Sequence, residues 1–298
     1  MNAAQNLRQQ LSQPGMVIAP GAYDALGARL IEQAGFAAVY MTGAGTSAAR
    51  GYPDFGLLTM SEMVENAAVM ARAIGVPLIA DADTGYGNEL NVTRTVREYE
   101  ARGVAAIHIE DQVAPKRCGH LDGKEVISHD EFVSKIRAAV EARRSTDFII
   151  IARTDARAVH GLEDAIARAN AALLAGADMA FVEAMQTLEE VAAVPQRVHG
   201  PCLLNVVPGG RTPIFDLREA DAMGYKLAIL PGLMLKAMLE AGDAALAELK
   251  ATHQAPKVTG TVAQAFRRFG ADEWDALRER FNAGARATSA TGAAEGAD

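Results

Sequence analysis

The chain has 298 residues, half of them hydrophobic but only 5% aromatic, and a formal net charge of −8. That length suits one large α/β domain or two small ones, and an apolar content made mostly of Ala, Val, Ile and Leu suits parallel strands covered by helices. The acidic balance with scattered Lys and Arg argues against nonspecific binding to nucleic acid or anionic lipid, and no apolar run reaches the length of a membrane span.

The first fourteen residues are polar and Gln-rich, without the apolar centre of a signal peptide. From Val17-Ile18-Ala19 onward, short apolar runs recur at a fairly regular interval. They are Ala38-Val39-Tyr40-Met41, Pro77-Leu78-Ile79-Ala80, Ala106-Ile107-His108-Ile109 and Phe148-Ile149-Ile150-Ile151. Met179-Ala180-Phe181-Val182, Cys202-Leu203-Leu204-Asn205 and Leu227-Ala228-Ile229-Leu230 complete eight. Each has the size of a strand buried on both faces. Helical patterns lie between them, over 24–34, 61–74, 92–102, 130–143, 163–175 and 188–198. Ser61 and Ser128, the latter with Glu131 three positions on, read as N-caps. Gly35, Gly75, Gly103, Gly176 and Gly224 read as helix terminators. Eight strand–helix alternations predict a (β/α)8 TIM barrel over 1–232. An open doubly wound sheet fits less well, because no Gly-x-Gly-x-x-Gly follows the first run. Beyond the eighth run, 234–249 reads as a long amphipathic helix, with more helix at 261–269 and 272–281. The segment 233–282 is expected to pack on a neighbouring subunit, and 283–298 to be a disordered tail. Two cysteines do not make a disulfide framework, so a reducing cytoplasm is expected.

In such barrels chemistry sits at the C-terminal ends of the strands, and here nearly every run from the second to the seventh stops on a polar group. Thr42-Gly43-Ala44 begins a small-residue loop. Asp81-Ala82-Asp83, Glu110-Asp111, Arg153-Thr154-Asp155, Glu183 and Asn205 follow in turn. Side chains two apart in a strand share a face, so Asp81 with Asp83, and His108 with Glu110, can aim at one point. Asp81, Asp83 and Glu110 together are like charges that call for a cation, and their oxygens suit Mg2+ or Mn2+ better than Zn2+. The bland alternative, in which these acids cap helices and pair with Lys or Arg, accounts for one Asp better than for three acids. Arg153 can anchor an anionic substrate or pair internally with Asp155 or Glu183. Lys116-Arg117-Cys118-Gly119-His120 places a thiol among cations, where it can be partly ionised and move a proton. Cys202 reads as core packing, and His129, His160, His199 and His253 as surface residues.

The Lys-Arg-Cys-Gly-His loop, Asp-Ala-Asp-Thr-Gly-Tyr-Gly-Asn at 81–88, Ala22-Tyr23-Asp24-Ala25, Gly51-Tyr52-Pro53-Asp54 and Ile150-Ile151-Ala152-Arg153-Thr154-Asp155 together resemble the isocitrate lyase/phosphoenolpyruvate mutase superfamily, over nearly the whole chain. The likeness is strongest to the branch holding 2-methylisocitrate lyase, 2,3-dimethylmalate lyase and carboxyphosphonoenolpyruvate mutase. The resemblance implies a homotetramer, a dimer of dimers, in which the eighth helix is swapped between subunits. It implies Mg2+ at Asp81, Asp83 and Glu110, some through water. It implies substrate binding by Tyr40, Thr42, Gly43, Ala44, Asp54, His108, Gly119, Arg153, Glu183 and Asn205. Cys118 would protonate the leaving carbanion, with Lys116, Arg117 and His120 stabilising charge and tuning the thiol.

The activity implied is a Mg-dependent carbon–carbon lyase that cleaves a substituted 2-hydroxy dicarboxylate to a 2-oxo acid, such as pyruvate, and a carboxylate. Alternatives are a P–C mutase on a phosphoenolpyruvate-like substrate, an oxaloacetate decarboxylase or 2-oxo acid hydrolase, and a non-catalytic metabolite-binding barrel. The chain departs from its relatives at Val207-Pro208, where methylisocitrate lyases usually carry Thr-Glu, and at Leu230 and Gly232. Those departures point to a smaller or more apolar malate-type substrate.

Overall fold

The computed structural model describes residues 1–213, 216–257 and 259–292, the last ten without their side chains. Two compact units result: Met1–Ala241, and a second beginning at Gly242. The first therefore extends past the boundary expected at 232.

In chain order the elements are α1 (Ala3–Ser12), β1 (Val17–Ala22), α2 (Ala25–Gln33), β2 (Val39–Met41), α3 (Gly43–Ala49), α4 (Met60–Ala73), β3 (Leu78–Asp81) and α5 (Glu89–Ala101). Then come β4 (Ala106–Glu110), α6 (His129–Ala142), β5 (Ile149–Thr154), α7 (Ala156–Val159), α8 (Leu162–Leu174), β6 (Met179–Val182), α9 (Leu188–Arg197) and β7 (Cys202–Asn205). The chain continues through α10 (Leu217–Met223), β8 (Leu227–Leu230), α11 (Leu233–Thr252), α12 (Val262–Arg267) and α13 (Ala271–Gly292). The eight strands form a closed parallel barrel in sequence order, β1 pairing with β8 to shut it.

Alternation along the strands separates two cores. Tyr40, Ile79, Ile151, Phe181, Leu203 and Ile229 fill the inside. Val39, Ile107, Ile109 and Ile150 face outward onto Met63, Val96 and Tyr99 of the helices. This period of two positions the site. Asp81, Arg153, Glu183 and Asn205 each lie two residues beyond an inside residue, so they continue the same face toward the C-terminal rim.

Three local expectations are corrected, and one segment for which no element was expected gains one. The N-terminal segment is helical: Asn2 and Gln5 form a reciprocal cap, and Leu7, fully buried, joins the inside core. Arg8 reaches Asp178, just before β6, at 2.9 Å, so α1 covers the N-terminal mouth. The small-residue stretch after β2 is a helix, α3, started by Thr42 accepting from the Gly45 N–H. The cap of α4 is Thr59, boxed with Glu62, rather than Ser61. Helix α13 runs through 283–292, expected as disordered tail, because Ala is the strongest helix former; 293–298 lie outside the described residues.

Among the described residues no helix is long and apolar enough to cross a membrane. Helix α11 has twenty residues and not one is buried. Met238 and Leu239 on it are exposed, as are Val262 and Phe266 of α12 and Trp274 and Phe281 of α13.

Candidate active site

At the C-terminal rim a cavity of about 110 Å³ is lined by Tyr40, Thr42, Ala44, Asp54 and Asp81 on one side. Cys118, Gly119, His120, Arg153, Glu183 and Asn205 line the other, and Val207, Pro231, Gly232 and Leu235 form an apolar end. A larger cleft of about 590 Å³ opens beyond Lys116 and Asp83, but neither Cys118 nor Arg153 nor Glu183 reaches it. The chemistry therefore belongs to the smaller cavity.

The rim acids arrive differently from one another. Asp81 ends β3 beside His108 of β4. Its Oδ1 accepts from the Asp83 N–H at 2.9 Å and its Oδ2 from the Gly43 N–H at 3.2 Å. A Cβ on Gly43 would sit 2.5 Å from Asp81 Oδ2, so only glycine permits that approach. Asp83 lies past the strand end at φ +46°, a left-handed conformation that Asp tolerates better than most residues. Turn geometry, not strand alternation, thus brings Asp83 to the rim. Tyr40 Oη lies 2.8 Å from His108 Nε2, and the two rings stack.

Cations of the chain already stand among these acids. Lys116 Nζ donates to Asp54 and lies 3.1 Å from Asp83 Oδ1. Arg153 donates from Nε to Asp155 at 2.9 Å and places Nη1 3.1 Å from Glu110. Its guanidinium covers the Phe181 ring at 5.1 Å. Arg153 is thus ion-paired, with Asp155 as one expected partner and Glu110 in place of Glu183, and it lines the cavity.

Burial pushes all the acids up, and neighbours decide the outcome. For Asp81 the pull of His108, Lys116 and Arg153 prevails, holding it at about 2. For Asp83 burial wins over Lys116, and Asp81 and Asp54 add to it, raising the carboxyl to about 6. Burial raises Glu110 well above the carboxylate range despite Arg153. Glu183 is held low because Arg153, His120 and Asn205 outweigh its burial. Asn205 Nδ2 donates to it at 3.0 Å.

The thiol loop corrects two expectations. Cys118 is pushed up by burial and by Asp54, which outweigh the His120 backbone and Lys116. The thiol is therefore protonated near neutral pH rather than partly ionised. Arg117, expected beside the reacting atoms, is exposed and lies over the Phe55 ring at 5.6 Å. Its backbone is what the loop uses: the Gln112 side chain donates to its carbonyl and accepts from its N–H, both at 2.9 Å. His120 Nδ1 accepts the Arg211 N–H at 3.0 Å, so the ring proton sits on Nε2, which faces Glu183 Oε1 at 3.0 Å.

Among the described residues no three His, Cys, Asp or Glu side chains are grouped so as to hold a metal ion, because Lys116 and Arg153 lie against Asp83 and Glu110. The donor set nonetheless fits a hard cation. Asp83 Oδ1 and Glu110 Oε2 are buried with only the ion contacts to Lys116 and Arg153, and Glu110 Oε1 is buried with no hydrogen bond; such carboxylate oxygens are the ligands Mg2+ prefers.

Of the residues singled out from the sequence, Gly43, His108, Glu110 and Arg117 do not line the cavity, and Asp83 and Lys116 line the neighbouring larger cleft instead. Leu235, Gln112 and Lys124 were missed. No short motif marks them, since their roles arise from the way a helix start and a folded-back loop meet the rim. Cys202 is buried in β7, and His129, His160, His199 and His253 are exposed, as expected.

A family model described as phosphoenolpyruvate phosphomutase matches residues 7–250. A 2,3-dimethylmalate lyase from Eubacterium barkeri is 52% identical over 78% of this chain and 80% of its own length. A 2-methylisocitrate lyase from Aeropyrum pernix is 46% identical over 82% and 78%. Among solved structures, a crystal structure of 2,3-dimethylmalate lyase superposes with a TM-score of 0.90 at 42% identity, covering 94% of this chain and 95% of that one. A phosphonopyruvate hydrolase in complex with oxalate and Mg2+ superposes with a TM-score of 0.85 at 31% identity, covering 94% and 99%.

Proposed function

This chain belongs to the phosphoenolpyruvate mutase/isocitrate lyase family, and we propose that it is a carbon–carbon lyase cleaving an alkyl-substituted 2-hydroxy dicarboxylate, of the dimethylmalate or methylisocitrate kind, to a 2-oxo acid such as pyruvate and a carboxylate. One observation carries the reading. A thiol kept protonated by burial faces the same small cavity as Arg153, Asp81 and Glu183, which is the placement a proton donor to a carbanion requires.

Arg153, clamped by Asp155 and Glu110 and backed by Phe181, orients a substrate carboxylate without having to be ordered first. The donor atoms of Asp81, Asp83 and Glu110 suit Mg2+ or Mn2+, which when bound polarises the 2-hydroxyl and its neighbouring carboxylate. When the hydroxyl proton passes to water in the open cavity, the O–H electron pair forms the new C=O, C2–C3 breaks, and its electron pair stays on the carbon next to the second carboxylate. Cys118 then gives that carbon its thiol proton. Nε2–H of His120, facing Glu183, keeps the Glu183–Asn205 pair in place at the second fragment. Lys116 neutralises Asp54 and Asp83. Arg117 touches none of the reacting groups. The apolar end formed by Val207, Pro231 and Leu235 favours an alkyl group on C3 over a third carboxylate.

The exposed apolar residues of α11, α12 and α13 support assembly into a homotetramer in which α11, the eighth barrel helix, is exchanged between subunits. Two free thiols fit a cytoplasmic setting.

The test is release of 2-oxo acid from malate, citramalate, dimethylmalate, isocitrate and 2-methylisocitrate with Mg2+ present, beside phosphorus NMR with phosphoenolpyruvate. Turnover is expected with an alkylmalate and none with phosphoenolpyruvate. Cys118→Ser should lower kcat by about 10²–10⁴-fold while oxalate still binds. Full activity in that variant would remove the thiol from the mechanism.

A further inference from the structure

The segment Cys118-Gly119-His120 rides at the tip of a loop whose neck is tied by two backbone bonds: Val113 N–H to the Glu125 carbonyl and Ile127 N–H to the Asp111 carbonyl, both 2.9 Å. A neck alone does not hold a tip eight residues away. Gln112 grips the peptide of Arg117 on one side of it, and Arg211 grips His120 on the other. The middle is held by Lys124.

We propose that Lys124 is a positioning residue, a buried ammonium that clasps the loop tip onto the Arg153–Asp155 pair and so presents the Cys118 thiol to the cavity. Its side chain is 1% exposed. Nζ donates to the Gly119 carbonyl and lies 3.4 Å from Asp155 Oδ1. Asp155 is fully buried and holds Arg153 through two hydrogen bonds, 2.9 Å from Nε and 3.3 Å from Nη2. One carboxylate therefore couples the substrate-orienting cation to the loop that carries the acid. The fit at the tip is close. A Cβ on Gly119 would lie 2.6 Å from Arg153 Nη2 and 2.6 Å from Glu183 Cγ. Without the ammonium, the Gly119 carbonyl loses its donor and Asp155 loses one of its two cations, both away from water. The tip then opens as a local event, while the barrel stays folded.

The thiols supply the readout. Cys202 is buried and Cys118 is partly exposed, so alkylation by iodoacetamide, located by peptide mass, reports on the tip. The full chain, Lys124→Met and Lys124→Arg are compared at pH values on both sides of the thiol titration, which separates exposure from ionisation. Lys124→Met should raise the alkylation rate at Cys118 by about tenfold or more, the response of a local opening. Lys124→Arg, which keeps a donor for both partners, should restore protection. With an alkylmalate, kcat should fall in Lys124→Met while KM stays within about threefold, because Arg153 remains paired with Glu110. A folded Lys124→Met whose Cys118 alkylates at the unaltered rate overturns the proposal.

Should Lys124→Met fail to fold, hydrogen exchange on the unaltered chain decides. The Leu121 amide, which donates to the Cys118 carbonyl at 2.9 Å across the tip, should be as slow as those of Val113 and Ile127, and fast exchange there over a protected neck also overturns the clasp. Alkylation and exchange need no substrate, so their outcome stands apart from that of the lyase assay.

Discussion

At the level of single residues, burial and neighbouring charge compete for every ionisable group that the converging strand ends bring to the rim. Asp81, Arg153, Glu183 and Asn205 follow from a period of two and a rim. What the amino-acid string could not show was ionisation. Cys118 beside Lys116, Arg117 and His120 reads as an activated thiol, yet Arg117 turns out to solvent and Asp54 turns in, so burial prevails. The same competition gives His108 a testable signature. Burial lowers its imidazole to about 4, against the pull of Asp81, whereas an unfolded His titrates near 6.5. The native state thus resists protonation. Its contribution is complete above about 6.5 and is lost as pH falls toward about 4, by at most about 3 kcal/mol. Asp83 and Asp111, both raised to about 6 by burial, act with the opposite sign. The comparison must therefore be with His108→Asn: the Tm advantage of the unaltered chain over the variant should shrink between neutral pH and about pH 4. A difference that stays level across that range would refute the assignment.

Elements were readable to the degree that they are periodic. All eight apolar runs became strands, since a strand buried on both faces needs only an unbroken apolar run. The misses are short or weakly patterned. Helix α1 offers two Leu and two Ala among glutamines, and α3 is built of Gly, Ala, Ser and Thr, which read as a loop until Thr42 is seen to cap it. The cost of overlooking α1 is largest, because Leu7 sits against the inner core of the barrel. Leu7→Ala should destabilise the fold by about 2–5 kcal/mol, measured by urea unfolding, with kcat/KM unchanged at temperatures where the variant is folded. A loss below about 0.5 kcal/mol, the scale of a neutral surface change, would mean that α1 is not part of that core.

For the molecule as a whole, the barrel's identity was plain from the alternation of strands and helices, but the fate of its last helix was not. Helix α11 has the apolar content of a covering helix, yet none of its residues is buried and only its first turn, at Met234 and Leu235, packs on the barrel, a state that isolated helices in water rarely sustain. The exchange between subunits proposed above would resolve the mismatch. Sedimentation equilibrium should give four times 31.4 kDa, about 126 kDa, and Trp274, the chain's one tryptophan, should shift to longer emission wavelengths when the assembly is dissociated by dilution. A stable 31.4 kDa species with full activity would rule assembly out as a requirement. Helix α1 carries one more consequence, for handling rather than for catalysis. Because it stoppers the end of the barrel away from the reacting groups, and Met1 before it is exposed, a tether or fusion partner joined at the first residue points away from the open mouth. Immobilised by that end, the enzyme should turn its working face to the passing solution.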